Sequence, residues 1–206
     1  GPEQVKNVKC IAVDGTTATL SWSDVSDDDI SYFVVECKQS DGVWKSVSRT
    51  STNLGVNLSG LTPEHDYVYR VIGYDKRSNR GTPSEEITVT TLKDTICPKV
   101  TKITPDPGYF KSEINLRFTA EDDYRVKSIE IQTSTDKESW KTVSEIKATG
   151  ESAKCTFDCK LDLKNYEEGS VFVRAKVYDS YGNVTEDKDL TCYEYVVDRT
   201  APIQPT

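Results

Sequence analysis

His65 is the one histidine in this chain of 206 residues. It stands in the short stretch LTPEHDY, residues 61–67. A Ser-His-Asp or Cys-His arrangement needs an imidazole beside a nucleophile, with a third group holding it in place. Nothing in the sequence sets a nucleophile next to His65, which reads as an ordinary loop residue. The six cysteines offer little more. A reactive thiolate wants a basic, partly exposed setting. Cys10, Cys37, Cys155 and Cys159 instead fall in apolar alternating runs. Cys155 and Cys159 share one strand face about 13 Å apart, beyond bridging distance. No Cys-x-x-Cys pair or Cys/His cluster supports a metal centre. The pattern favours buried free thiols, with Cys37, Cys155 and Cys159 on inward faces. The state of Cys10, Cys97 and Cys192 stays open.

Carboxylates cluster more suggestively. The stretches SDVSDDDIS (residues 23–31) and AEDDYRV (residues 120–126) read as loops, as do YDKRSN (residues 74–79) and YDSYGN (residues 178–183). In a β-sandwich, loops in these positions meet at one pole. Asp27, Asp29 and Asp75 would converge there in one half of the chain, and Asp122, Asp123 and Asp179 in the other. Calcium takes six to eight oxygens, which such loops supply. The competing reading is that Asp and Asn cap tight turns with their own side chains, and the absence of an EF-hand spacing favours it. Calcium is therefore not expected to be needed for folding. No catalytic, cofactor-binding or metal-binding residue is assigned, and no cofactor is expected.

Behind these residues lies a repeat. YVYRVIGYD at residues 67–75 returns as VFVRAKVYD at residues 171–179, offset by 104. LSW at residues 20–22 and WKSVS at residues 44–48 return as LRF and WKTVS, offset by 96. Trp22 reads as core; Trp44 and Trp140 recur together, which favours a shared packing role over a platform for sugar rings. The first copy alternates in seven short runs (VKCIAV, TATLSW, YFVVEC, WKSVS, LGVNL, YVYRVIGY, EITVTT), separated by Asp, Gly and Pro turns. The second reads as VTKI, EINLRFTA, SIEIQTS, WKTVSEI, KCTFDCKLDL, VFVRAKVYD and CYEYVVD. Period-2 runs at this spacing predict an all-β chain of two tandem antiparallel β-sandwiches. The expected units are residues 1–93 and 94–198, with 199–206 a linker to a following domain.

The chain carries 34 acidic against 26 basic side chains, a formal charge of −8. That balance repels phosphate backbones and argues against nucleic-acid binding. No apolar run reaches the roughly 20 residues that a membrane-spanning helix needs. The sequence lacks methionine, and Gly1-Pro2 has the form of a pair left by tag cleavage. It reads as a piece of a longer protein.

The first unit resembles a fibronectin type III domain through Pro2, Val8, Trp22, the strand at residues 30–35, Leu61, Pro63, Tyr67, Arg70 and the closing PSEEITVTT. Leu61-x-Pro63 before Tyr67 fits a tyrosine corner, whose hydroxyl bonds back to the turn. One departure is Cys37, where the family often has Tyr. Arg80-Gly81-Thr82 falls where such domains can present Arg-Gly-Asp to integrins; Thr replaces the metal-ligating Asp, which leaves a glycine turn. The second unit lacks the corner and resembles bacterial immunoglobulin-like domains. The pair is similar to the accessory arrays of large Firmicutes secreted or surface proteins, including those with RHS/YD repeats. The resemblance implies a non-catalytic, monomeric spacer or presentation module, secreted or on the cell surface, whose partners are neighbouring domains of the same chain. The alternative it leaves is an adhesion module for glycan or host protein. A joint of about seven residues with a proline leaves little slack. The sequence therefore predicts, by small-angle scattering, a radius of gyration clearly above the roughly 17 Å of a compact globule this size. A value at that limit would remove the physical basis of a spacer.

Overall fold

A computed structural model describes residues 1–23, 25, 28–51 and 53–200. It divides into two compact units, Gly1–Asp94 and Thr95 onward. No helix is long and apolar enough to cross a membrane.

All seven runs of the first unit are strands: β1 (Lys9–Val13), β2 (Ala18–Ser21), β3 (Ile30–Lys38), β4 (Trp44–Thr50), β5 (Gly55–Leu58), β6 (Asp66–Asp75) and β7 (Ile87–Thr90). They form two antiparallel sheets, in the orders β1-β2-β5 and β4-β3-β6-β7. Alternation decides what is buried. Phe33, Val35 and Cys37 point inward from β3 and Tyr69 and Val71 from β6, against Ala18, Leu20 and Leu58 of the other sheet. Trp22 closes this core, its ring edge-on to Phe33 at 5.5 Å. The tyrosine corner forms as expected: the backbone N–H of Thr62 donates to the Tyr67 hydroxyl at 2.8 Å.

The second unit corrects the sequence reading. Here β8 (Lys99–Thr104) and β9 (Tyr109–Phe110) precede two strands of 22 residues each, β10 (Glu113–Ser134) and β11 (Lys141–Asp162), then β12 (Gly169–Asp179) and β13 (Tyr193–Val197). Four predicted strands have become two. A straight strand of that length would run about 70 Å, so each must bend and serve both faces of a sandwich. The first half of β10 pairs with β8 and the second half with β12, while β11 follows β10 throughout. Taken by halves, the order β8-β10-β11 repeats β1-β2-β5, and β11-β10-β12-β13 repeats β4-β3-β6-β7. The extra residues of this copy lengthen β11. Leu20 faces Val56 whereas Leu116 faces Cys159, so the offset of 96 at Trp140 has grown to 103 there. The added length lets the strand cross between sheets without a break. β9, unforeseen because two residues carry no period, pairs parallel with β13 and covers its edge. Ile114, Leu116, Phe118, Ile129, Ile131, Val173, Val177 and Tyr195 build the core.

Among the described residues, four of the strands that flank a sheet, β1, β4, β8 and β11, are bulged. One extra residue interrupts the pairing at Ile11 of β1, Val47 of β4, Thr101 of β8 and Val143 of β11. Bulges twist an edge out of register with any strand that might add to it. This explains why exposed β-branched residues are tolerated there, Ile11 at 58 %, Val47 at 46 % and Val143 at 36 % exposure. Deleting Val47 or Val143 should regularise the edge and drive self-association, read as a mass increase by light scattering. A deletion variant that stays monomeric at high concentration would show that the bulge guards nothing.

Candidate functional site

The candidate residues collect in two places that recur in both units. The first is the turn after β6 and after β12. Asp75 Oδ1 accepts from the backbone N–H of Arg77 and Asn79, at 2.9 and 2.8 Å, and Oδ2 accepts from Asn79 Nδ2 at 2.7 Å. Asp179 does the same with Tyr181, Asn183 and Asn183 Nδ2, at 2.8, 2.8 and 2.6 Å. Beyond each turn a hydroxyl also accepts from the strand, Ser84 Oγ from Val71 N–H and Thr185 Oγ1 from Val177 N–H, at positions that differ between the copies. The repeated Tyr-Asp-x-x-x-Asn thus caps its own turn in both copies.

The expected convergence of loops at the pole is realised in part. In the first unit Lys76 reaches across, its N–H donating to the Asp29 carbonyl at 3.0 Å and its ammonium lying 3.8 Å from the Asp29 carboxylate. Asp27 lies outside the described residues. In the second unit AEDDYRV is no loop. Residues 122–125 are a wide bulge inside β10, between Glu121 facing Lys154 and Val126 facing Ser152. Asp122 Oδ2 caps it, accepting from Tyr124 and Arg125 N–H at 3.2 and 3.1 Å. Carboxylate oxygens of Asp122 and Asp179 come within 4.8 Å of one another, as expected for those two residues.

The second place is the outer face of the sheet holding β3, β4 and β6. Arg70 lies directly opposite Glu36, with its Nε donating to the carboxylate at 2.7 Å, and its guanidinium carbon sits 4.0 Å from the Trp44 ring centroid. In the other unit Arg174 lies opposite Gln132, donates to its Oε1 at 2.8 Å, and sits 4.0 Å from the Trp140 ring centroid. The shared packing role expected for the tryptophans is this clasp. Sequence reasoning did not connect Arg70 to Trp44, because one recurs at an offset of 104 and the other at 96; cross-strand pairing makes them neighbours.

The remaining candidates, Arg80 excepted, lie apart from these two places. His65 is exposed, its ring edge-on to Tyr67, and its backbone N–H is held by Thr91 Oγ1 at 3.0 Å. Arg80-Gly81-Thr82 is not a displayed tip: Gly81 is buried, its N–H bonds the Gly73 carbonyl, and a Cβ there would lie 2.7 Å from the Pro2 carbonyl oxygen. Arg80 itself turns to Glu36 at 3.2 Å. All six cysteines carry free thiols. Cys37 and Cys159 are buried as expected, and burial pushes both thiols up. Cys155 is only half-buried, because it lies beside Ser152, where β11 and β10 lose their one-to-one register.

The fibronectin type III family model matches residues 3–90, and that stretch is a fibronectin type III domain. Among solved structures the chain is similar to a fibronectin type-III domain of human fibronectin type III domain containing protein 3. The identity is 26 %, over 46 % of this chain and 89 % of that one, at a TM-score of 0.41. It is also similar to the chicken CNTN1 FN1-FN3 domains, at 16 % identity over 96 % of this chain and 67 % of that one, with a TM-score of 0.42. The FN5 domain of Drosophila Lar follows at 21 %, 46 %, 100 % and 0.38 in the same order. No curated protein matches the chain.

The same capping chemistry gives the turn between β10 and β11 a pH signature. Asp136 accepts from the N–H of Ser139 and Glu138 and from Ser134 Oγ, which brings its pKa down to about 2. The charged form is the one these bonds favour, so the folded pKa lies below the unfolded one. The stabilisation is complete above the unfolded value near 3.8 and is lost as pH falls towards 2. Asp75 shifts in the same direction, chiefly through the Asn79 side chain. Carboxyl NMR titration should place the Asp136 midpoint near 2, and Asp136→Asn should flatten the acid limb of the stability curve. A midpoint at the ordinary aspartate value would contradict the capping geometry.

Proposed function

We propose that the chain is a non-catalytic spacer and presentation module of a large bacterial extracellular or cell-surface protein, its second unit an immunoglobulin-like sandwich of that array. Fibronectin type III domains are typically extracellular modules that mediate interactions or act as spacers. The observation that carries the reading is duplication of the polar chemistry. Asp75 with Asn79, and Trp44 with Arg70, recur as Asp179 with Asn183, and Trp140 with Arg174. Groups bound identically in both copies are committed to holding turns and strands, whereas a catalytic group must leave bonds free for a substrate. Repeated sandwiches whose polar residues serve their own fold suit an array that sets distance and displays its neighbours. Purified chain assayed against hydrolase, transferase and redox substrates should give no turnover. Turnover that a single substitution abolishes would end the reading.

A further inference from the structure

The duplication also marks what is not duplicated. Polar groups present in both copies serve the common scaffold, so a group found in one copy alone is a candidate for another task. Arg49 is such a group: at an offset of 96, Glu145 stands in its place, and Ser128 stands in place of its neighbour Tyr32. Arg49 lies on β4 opposite Val34, on the outer face of the sheet. Its guanidinium carbon rests 3.6 Å from the Tyr32 ring centroid, and Tyr32 is itself stacked on Tyr74 at 4.8 Å and 7°. Arg49 is exposed, and among the described residues it forms no ion pair.

Lys38, Arg70 and Arg80 share this face with Arg49, against Glu36, Glu86 and Asp66 as its acids. Glu36 receives both Arg70 and Arg80, and Glu86 receives Lys38 at 3.3 Å. The face is therefore positive on a chain whose net charge is −8. From the Lys38 and Trp44 pair to the Tyr32 and Tyr74 pair the strip runs six residues along β3, about 20 Å. A guanidinium held over an aromatic ring is pre-oriented, and its planar N–H fork matches a carboxylate.

We propose that this strip is a docking surface for an acidic polysaccharide, with Arg49 as the principal contact to its uronate carboxylates. A row of fixed cations suits an extended polyanion with repeating charge. Single-stranded nucleic acid fits less well, because base stacking needs open ring faces. Here guanidinium groups lie against Tyr32 and Trp44, and Tyr74 stacks on Tyr32. The proposal goes beyond the spacer reading and does not rest on it: failure to bind overturns the docking surface and leaves the turnover result as it stands.

Affinity electrophoresis of the whole chain at low salt tests it, with polygalacturonate as the probe and dextran as the neutral control. Polygalacturonate should retard the parent and dextran should not. Arg49→Gln should weaken binding about tenfold, the loss of one charge-assisted contact, and Arg49→Glu should abolish it. Glu145→Gln, the equivalent position of the other unit, should change nothing. Because Arg49 is exposed, both variants should melt like the parent. The proposal is overturned by an unretarded parent, by Arg49 variants that bind as the parent does, or by equal retardation with dextran or single-stranded DNA.

Discussion

Everything in this molecule depends on strands whose side chains alternate between a dry interior and a wet exterior. Because the period is two, a slip of one residue would turn Phe33, Val35 and Cys37 outward and expose β3 to water. Burial of such a face is the dominant favourable term in folding, so register is enforced wherever both sheets contribute to a core. It is relaxed inside β10 at residues 122–125, at Ser31 of β3 and at four flanking strands. On those four, Ile11, Val47, Thr101 and Val143 are extra residues that no partner strand has to match.

Enforced register is what gives the polar residues their partners. Once β3 and β6 are aligned by Val35 opposite Val71, Glu36 must face Arg70, and β4 must bring Trp44 beside them. The same alignment in the other unit sets Gln132, Arg174 and Trp140 together. The exchange of Glu for Gln keeps the hydrogen bond and gives up the charge, so the stacked ring is the common element. Polar chemistry here follows from packing, which is why it repeats with it.

The copies diverge where the scaffold permits. The second carries a longer β11, a bulged corner at residues 122–125, and an added edge strand at Tyr109–Phe110. These changes replace loops by continuous strand while leaving strand order intact. Side chains on the outer faces diverge more freely still. Arg49 against Glu145 reverses a charge, and Val34 against Glu130 introduces a carboxylate held by Thr142, Gln132 and Tyr178. Surfaces freed from register are where tandem modules acquire separate properties.

Alternation, the offsets of 96 and 104, and the Leu61-x-Pro63 corner before Tyr67 by themselves determined the two sandwiches, every strand of the first unit, and the inward placing of Trp22 and Cys37. Each is a local signal, set by neighbours within a few positions. The turn-capping role of Asp75 and Asp179 was legible for the same reason, since their partners are at most four residues away. Only the tertiary structure decided that AEDDYRV continues a strand, that β9 exists, that Cys155 is half-exposed, and that Trp44 lies on Arg70. Those outcomes depend on which strands become neighbours, and alternation reports which face a residue occupies without naming the strand across from it.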